Sequence, residues 1–352
     1  MAFLLLSDGT IFHGISVGAD TFAVGEMVFN TSHLGYQEIL TDPSYDQQVI
    51  NFTSPHVGNI GINQHNFESS HIHAAGAIFR SFSEEYFHWQ AHSSLSDLLK
   101  SQGVPALSEI DTRALTLHLR ENGCQLGCVV GNNLSLDAAL DAISVRQNEA
   151  SRVSTQAAYL YKKDGDAHLV VVDCGLKAGI LSALARFPVK ITVVPQSVTF
   201  QTLMALKPDG VLLSNGPGDP RHCESLIIVT QHLLQSDIPV FGICLGHQIL
   251  ALSAGAHIKK MKFGHHGANH PIQCLETGSV FISSQNHNYV VDESHLPDCF
   301  KITHVSLFDG TIAGLEHRTL AAFSFQGHPE ANPGPRELSY LFQKFIEKVH
   351  HA

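Results

Sequence analysis

The stretch PVFGICLGHQILAL (residues 239–252) contains the strongest structural signal in this chain. A short apolar run leads into Cys244, and a helical pattern begins directly after it. Gly242 and Gly246 flank the cysteine at two-residue spacing, where larger side chains would crowd a tight bend. The pattern predicts a nucleophile elbow, a strand–turn–helix bend that places one side chain beyond the edge of a sheet. Cys244 is therefore our candidate nucleophile, in preference to a cysteine that packs as a small hydrophobic residue.

Apolar runs of strand length alternate with helical windows on both sides of this stretch. The runs cover residues 168–173, 191–195, 210–213 and 239–243, and the windows cover 178–186, 199–206, 224–234 and 245–254. Such alternation is typical of a mostly parallel sheet covered by helices on both faces. We therefore predict a doubly wound α/β domain over residues 167–352, ending with short strands near residues 289, 302, 312 and 322 and a helix over 337–350.

The first half of the chain has shorter strands and dense turn signals. A hairpin is predicted over LLLSDGTIFHG (residues 4–14), and a further strand over 22–31. Helices are predicted over 95–102, 110–121 and 134–143. We predict a β-rich α+β domain over residues 1–150. The polar, weakly periodic segment 151–166 is predicted to be the linker.

The composition restricts the class of protein. The formal net charge is −11, from 21 Lys+Arg against 32 Asp+Glu, which argues against nucleic acid and anionic membranes as main partners. The start, MAFLLLSDGT, has no basic lead and is not expected to be a signal peptide. No run reaches the ~18 apolar residues of a membrane span. Seven scattered cysteines indicate free thiols, so we expect a cytoplasmic protein.

A thiol nucleophile needs a base, and the segment FSFQGHPE (residues 323–330) offers one. His328 and Glu330 are two residues apart, and in an extended backbone their side chains would point the same way. Glu330 could then accept a hydrogen bond from one ring nitrogen while the other faces Cys244. The segment LSNGPGDP (residues 213–220) follows a predicted strand and could present backbone amides to an oxyanion. An ordinary turn would look the same there.

The 24 histidines raise the question of a metal site. His265, His266 and His270 lie close together, but no cysteine or carboxylate follows at ligand spacing. We predict no metal, and interpret this segment as a loop near the active site or an interface. His247, beside the elbow, is predicted to be a hydrogen-bonded structural residue rather than a second base.

The elbow, the His–Glu segment and the glycine-rich loop together resemble the class I, triad-type glutamine amidotransferases. Seven further segments narrow the resemblance: GEMVFNT (25–31), GYQEILTDPSY (35–45), EIDTRALT (109–116), KFGHHGANHP (262–271), QNH (285–287), SLFDGT (306–311) and GHPEANPGP (327–335). With them, nearly the whole chain is similar to the small-subunit family of carbamoyl phosphate synthetases.

The resemblance implies a role for each matching residue. Cys244 would be the nucleophile, His328 the base and Glu330 its orienting partner. The backbone amides of Gly216 and Leu245 would form the oxyanion hole. The family's residues that hold the amino-acid end of glutamine or line its pocket match these positions: Ser44 in the amino-terminal domain, Gly218, Gln248, Asn286, Asn288 and Tyr289.

Four positions depart from the family pattern. Asn288 and Tyr289 stand where the family usually has glycine and phenylalanine, and Cys174 and Gly179 stand where it usually has phenylalanine and asparagine. Since asparagine tolerates a left-handed backbone, the segment around Asn288 is expected to keep its shape. The interdomain connector is also shorter than many in the family.

The resemblance also implies a partner. Ammonia released from L-glutamine would pass to a large synthetase subunit, forming a heterodimer with this chain. That subunit would use ATP, Mg and bicarbonate to make carbamoyl phosphate for arginine and pyrimidine biosynthesis. This sequence contains no G-x-x-x-x-G-K-[ST] loop, so we expect no cofactor in this chain.

Two alternative functions remain at this point. An amidotransferase that serves another synthase, such as one making anthranilate or GMP, would leave the amino-terminal half unexplained. A non-catalytic scaffold could keep the same fold, but the presence of all three triad residues argues against it. A glutaminase assay separates a scaffold from an enzyme.

Overall fold

The computed structural model describes residues 2–131, 134–146 and 153–351. The chain divides into two compact units. Unit 1 comprises Met1–Ala150 with Lys262–Gly267, and unit 2 comprises Ser151–Met261 with Ala268–Ala352. The predicted boundary at residue 150 falls in 147–152, outside the described residues, so the predicted domain limits stay a prediction.

Unit 1 is built mainly from short strands. Its strands are β1 Ala2–Leu6, β2 Ile11–Ser16, β3 Phe22–Asn30, β4 Gln48–Phe52, β5 His56–Val57, β6 Gly76–Ile78, β7 Ser81–Phe82, β8 Ala106–Ser108 and β9 Leu126–Val130. Its helices are α1 Tyr36–Thr41, α2 Leu95–Ser101, α3 Thr112–Asn122 and α4 Leu136–Ser144, with a 3-10 turn at Pro43–Tyr45. The predicted hairpin and the three predicted helices are confirmed.

Seven of these strands close into a barrel in the order β1-β2-β8-β6-β4-β3-β9. Closure comes from β9, which pairs antiparallel with both β1 and β3. One apolar core includes Leu4, Met27, Val49 and Val129, each fully buried. The barrel makes unit 1 the β-rich domain that was predicted, although its closure was not.

Unit 2 contains most of the large sheet. Its strands are β10 Tyr159–Lys162, β11 Ala167–Asp173, β12 Val189–Pro195, β13 Gly210–Leu213, β14 Val240–Ile243, β16 Val280–Val291, β17 Phe300–Ser306, β18 Ile312–His317 and β19 Ala322–Phe325. Strand β15, Ile258–Cys274, belongs to unit 2 at both ends and to unit 1 over Lys262–Gly267. The helices are α5 Ala178–Leu184, α6 Phe200–Ala205, α7 Glu224–Leu234, α8 Leu245–Ser253 and α9 Tyr340–His351, with 3-10 turns at Pro220–His222 and Glu293–His295.

The ten-stranded sheet has the order β10-β12-β11-β13-β14-β19-β18-β17-β15-β16. Strands β12, β11, β13, β14 and β19 run parallel to one another. Alternate residues of β11 enter two different apolar cores: Leu169 and Val171 one, Val170 and Val172 the other. Both faces of the sheet are therefore covered, which confirms the doubly wound α/β domain.

Three elements differ from the sequence prediction. The segment around His265–His270, predicted to be a loop, lies inside the long strand β15. Within the predicted linker, residues 159–162 form β10, an antiparallel edge strand beside β12. The last helix begins at Tyr340 rather than at residue 337. In each case the local residue pattern is polar, and pairing with a neighbouring element sets the structure.

Two further expectations concern the whole chain. The seven cysteines, all in the described part of the chain, are free thiols, as predicted. Among the described residues, no helix has both the length and the apolar character needed to cross a membrane.

Phe241 in β14 provides a test of how the core supports this sheet. Its ring is fully buried, stacks on Phe323 at a centroid distance of 4.5 Å and meets Phe342 edge-on at 6.0 Å. We expect Phe241→Ala to lower the free energy of unfolding by about 3–5 kcal/mol, because it leaves a cavity beside the elbow. Urea denaturation followed by circular dichroism measures this. Phe87→Ala, at a ring that is 77% exposed, is the control and should change stability by less than about 0.5 kcal/mol.

Candidate active site

Cys244 is the turning point between β14 and α8, and its backbone is strained. Its φ is 53° and its ψ is −103°, in a region that non-glycine residues rarely occupy. A Cβ atom on Gly242 would lie 2.4 Å from the Gly246 carbonyl oxygen, and one on Gly246 would lie 2.2 Å from the Leu213 oxygen. Both positions therefore require glycine. The predicted nucleophile elbow is present.

Three groups fix the thiol of Cys244 in a buried position. Its backbone N–H donates to the Phe325 carbonyl at 2.9 Å, tying the elbow to β19. Its Sγ donates to the Asn286 carbonyl oxygen at 3.4 Å. The amide Nε2 of Gln326 lies 3.9 Å from the sulfur. The nucleophile is thus held between β16 and the segment that follows β19.

His328 and Glu330 form the predicted pair. Nδ1 of His328 lies 2.7 Å from Oε1 of Glu330, and both side chains are almost completely buried. The backbone differs from the prediction: Pro329 and Glu330 lie in a turn rather than an extended strand. Since the carboxylate accepts from Nδ1–H, Nε2 is the ring atom left for chemistry. Nε2 is buried and hydrogen-bonds to no group in the described ranges.

Lys177 is a third charged residue of this cluster, and sequence reasoning missed it. Its Nζ lies 3.0 Å from Oε1 of Glu330 and donates to the Ala331 carbonyl at 2.7 Å. The Lys177 side chain is only 2% exposed. Lysine is rarely buried without a partner, so its place in DCGLKAG, between a strand and a helix in an otherwise apolar region, was the only sequence signal.

The charges of this cluster shift the pKa values of its members in opposite directions. Burial alone would raise the pKa of Glu330, but the positive charges of Lys177 and His328 outweigh burial and lower it. Burial alone would lower the pKa of His328, but the charge of Glu330 outweighs burial and raises it, against the opposing charge of Lys177. The nearby Cys244 thiol also favours the protonated ring. His328 is therefore a stronger base than a free imidazole.

The predicted oxyanion groups lie beside the elbow. A Cβ on Gly216 would lie 2.9 Å from Cδ2 of Leu245 and 2.0 Å from the Cys174 carbonyl oxygen. The Gly246 N–H donates to the Ser214 carbonyl at 3.1 Å, which ties the loop after β13 to the start of α8. The structure thus brings Gly216 and Leu245 together, and their role as oxyanion donors stays a prediction.

Several predicted glutamine-binding residues are also brought together. Nε2 of Gln248 donates to the Tyr289 carbonyl at 2.8 Å and to Oε1 of Gln326 at 3.1 Å. Asn286 and Asn288 lie on the same strand, β16. Asn288 is not among the residues with positive φ, so the left-handed backbone considered for it is wrong. Gly218 has φ of 89° in the glycine-rich loop, where a side chain would be strained. These pocket roles stay predictions.

Ser44 lies in unit 1. It is buried in the 3-10 turn Pro43–Tyr45, and its N–H donates to Oδ1 of Asp42 at 2.9 Å. Asp42 therefore caps this turn and fixes the serine backbone. The predicted contact between Ser44 and glutamine stays a prediction.

The other histidines of the sequence analysis do not form a second site. His247 is fully buried, its Nδ1 lies 2.8 Å from Oγ of Ser324, and burial lowers its pKa to about 3. His247 is thus the hydrogen-bonded structural residue that was predicted. Over the described ranges, no group of three or more His, Cys, Asp or Glu side chains is arranged to hold a metal ion.

Comparison with known proteins identifies relatives over the whole chain. The family model "Glutamine amidotransferase class-I" matches residues 170–348, and "Carbamoyl-phosphate synthase small chain, CPSase domain" matches residues 4–129. The carbamoyl phosphate synthase small chain of Vibrio parahaemolyticus is 48% identical, over 99% of this chain and 98% of that protein. The small chain of Pasteurella multocida is 46% identical, over 100% and 96%. The crystal structure of a putative GMP synthase component from Thermoplasma acidophilum has a TM-score of 0.46 at 23% identity, covering 53% of this chain and 94% of that one.

Lys177 offers a test of the buried charge cluster. We expect Lys177→Met to lower the free energy of unfolding by about 3 kcal/mol, because it removes one partner of a buried carboxylate. Urea denaturation measures this change. Lys163→Met, at an exposed lysine of the same unit, is the control and should be nearly neutral. Equal stability of the two variants would contradict the cluster as a stabilising element.

The raised pKa of His328 predicts a loss of stability at alkaline pH. A group whose pKa is raised by folding contributes stability that is complete below its unfolded pKa, about 6.5 for histidine. The contribution is lost as the pH rises through the higher folded pKa. We therefore expect the difference in unfolding free energy between the wild type and His328→Gln to shrink from pH 6 to pH 10. A constant difference over urea titrations in that range would contradict the shift.

Proposed function

Because the chain belongs to the carbamoyl-phosphate synthase small chain family, we propose that it is the glutamine-hydrolysing subunit of a carbamoyl phosphate synthase. One observation carries this proposal: a buried cysteine at a strained elbow lies beside a histidine whose other nitrogen is 2.7 Å from a buried carboxylate. That arrangement suits nucleophilic attack on an amide.

The reaction begins with proton transfer from Cys244 to Nε2 of His328. The resulting thiolate attacks the side-chain amide carbon of glutamine. The carbonyl oxygen becomes an oxyanion, which accepts hydrogen bonds from the backbone amides of Gly216 and Leu245. The protonated His328 then donates to the leaving nitrogen, so that the C–N bond breaks, ammonia departs and a glutamyl thioester remains.

Water completes the cycle. His328 removes a proton from the water, which attacks the thioester carbon, and collapse of the second tetrahedral intermediate releases glutamate and restores the thiol. Glu330 holds the ring with Nδ1–H towards the carboxylate and stabilises the imidazolium that forms in each half of the reaction. Lys177 keeps Glu330 ionised in its buried site.

The glutamine pocket is proposed to consist of Gln248, Gly218, Asn286, Asn288 and Tyr289, with Ser44 from unit 1. Support comes from the hydrogen bonds that join Gln248 to the Tyr289 carbonyl and to Gln326, which lies beside the Cys244 sulfur. These bonds connect the pocket side chain to the nucleophile.

The ammonia is proposed to pass to a large synthetase subunit in a cytoplasmic heterodimer. That subunit would bind ATP, Mg and bicarbonate and form carbamoyl phosphate for arginine and pyrimidine biosynthesis, and this chain would need no cofactor. Support comes from the match of residues 4–129 to a small-chain domain model. An amidotransferase for another synthase would leave that match unexplained.

Cys244→Ser tests the proposed function. We expect glutamine-dependent synthesis to fall by about 10⁴-fold or more, because the nucleophile is lost. With the large subunit present, synthesis from free ammonia should continue, because ammonia enters after the thiol step. Glutamate release and carbamoyl phosphate formation are the two measurements.

Cys223→Ser is the matched control, because this thiol lies outside the proposed mechanism and accepts a hydrogen bond from Gln196. It should keep nearly full glutamine-dependent activity. Wild-type glutamate release by Cys244→Ser would refute the assignment of the nucleophile. Undetectable glutamate release by the wild-type complex would refute the enzyme itself and favour a scaffold.

A further inference from the structure

Residues Val153–Thr155, where the described chain of unit 2 begins, are fixed to the carboxyl ends of β11 and β12. The Thr155 N–H donates to Oδ2 of Asp173, the last residue of β11, at 2.8 Å. Oγ of Ser154 accepts from the Gln196 N–H, just after β12, at 2.9 Å. Two hydrogen bonds therefore hold this segment at the edge of the sheet where the candidate active site lies.

The same carboxylate also holds the turn that follows β11. Oδ1 of Asp173 accepts from the N–H groups of Gly175 and Leu176, at 2.9 and 2.8 Å. Asp173 is almost completely buried and accepts three backbone N–H groups with its two oxygens. Hydrogen bonds to an ionised acceptor are short and strong. One side chain thus fixes the position of Thr155 relative to residues 174–177.

That turn packs directly against the glycine-rich loop. A Cβ on Gly175 would lie 2.9 Å from Cγ2 of Val153, 2.9 Å from Cδ of Pro217 and 3.0 Å from Cα of Gly216. The Cys174 N–H donates to Oγ of Ser214 at 2.9 Å. Val153, the turn and Gly216 therefore form one close-packed stack. A shift of Val153 or of Gly175 would displace the backbone of Gly216.

We propose that Val153–Thr155, held by Asp173, is a positioning element for the oxyanion donor at Gly216. The inference rests on the proposed function, because it assigns to this segment the placement of one backbone amide that meets the tetrahedral intermediate. These residues touch neither the substrate nor the thiol, so their effect passes through Gly175 and Gly216. The segment is then a working part of the hydrolytic centre rather than a passive connection.

The role separates chemistry at the oxyanion from the reactivity of the sulfur. Displacing an oxyanion donor destabilises the tetrahedral intermediate and lowers kcat, whereas glutamine binding in the ground state depends on other groups. Alkylation of Cys244 by iodoacetamide proceeds by displacement of iodide and forms no oxyanion. It should therefore be insensitive to the position of Gly216.

Thr155→Pro removes the N–H that Asp173 accepts, and Thr155→Ala is the matched control, because it keeps that N–H and loses only the bond from Oγ1 to the Ala157 carbonyl. With the large subunit, ATP and bicarbonate present, we expect Thr155→Pro to lower kcat for glutamate release about tenfold or more, less than the loss of a whole oxyanion donor. KM for glutamine should stay within about threefold, and Thr155→Ala should resemble the wild type. Peptide mapping should show an unchanged rate of Cys244 alkylation in all three proteins.

Val153→Ala keeps the test decisive if Thr155→Pro does not fold, as judged by circular dichroism. It shortens the side chain that packs on Gly175 and leaves the backbone intact, so kcat should fall about threefold or more, with unchanged alkylation. Unchanged kcat in a folded Thr155→Pro or Val153→Ala protein would overturn the inference, as would a parallel loss of turnover and alkylation. Both results leave the proposed function standing, whereas absence of glutamate release by the wild type would remove the function itself.

Discussion

The left-handed backbone at Cys244 is the constraint around which unit 2 is organised. Holding a non-glycine residue in such a region costs about 1–3 kcal/mol, and surrounding structure must offset that cost. Here Gly242 and Gly246 allow the chain to meet itself without clashes, and the Gly246 N–H fastens the bend to the loop after β13. The apolar cores on both faces of the sheet hold β14 and α8 in place on either side of the bend. The placement of the thiol is thus obtained from the packing of the whole unit.

A second constraint is electrostatic. Lys177, Glu330 and His328 place three ionisable side chains in a region nearly closed to water. An isolated charge there would be costly, but alternating signs at about 3 Å make each charge the partner of the next. The carboxylate is shared by the lysine and the imidazole, so the basicity of His328 depends on a balance between its two neighbours. Such a balance adjusts the base without any direct contact between Lys177 and the reacting atoms.

The sequence predicts this molecule best where the local pattern is strong. The strands and helices of unit 2 follow from continuous apolar runs such as 168–173, and the elbow follows from the glycines around Cys244. Closure of the barrel could not be predicted, since it depends on pairing β9 with β1 and β3 across more than a hundred residues of chain. Lys177 escaped because a lysine normally indicates an exposed position, and only the folded chain shows its carboxylate partner. Strand β15 escaped because its many polar residues resemble a loop, although its central histidines are buried.

Strand β15 also gives the two units an unusual relation along the chain. Residues Lys262–Gly267 belong to unit 1, although the residues before and after them belong to unit 2. The Cys124 N–H donates to the Lys262 carbonyl at 2.9 Å, the Thr31 N–H donates to the His266 carbonyl at 3.0 Å, and the rings of Phe29 and Phe263 pack at 5.6 Å. A gene split near codon 150 would therefore give an amino-terminal fragment that lacks part of its own packing, and a carboxyl-terminal fragment that carries the missing piece. The polypeptide is two units by compactness and a single unit of inheritance, because recombination at that point cannot exchange one without part of the other.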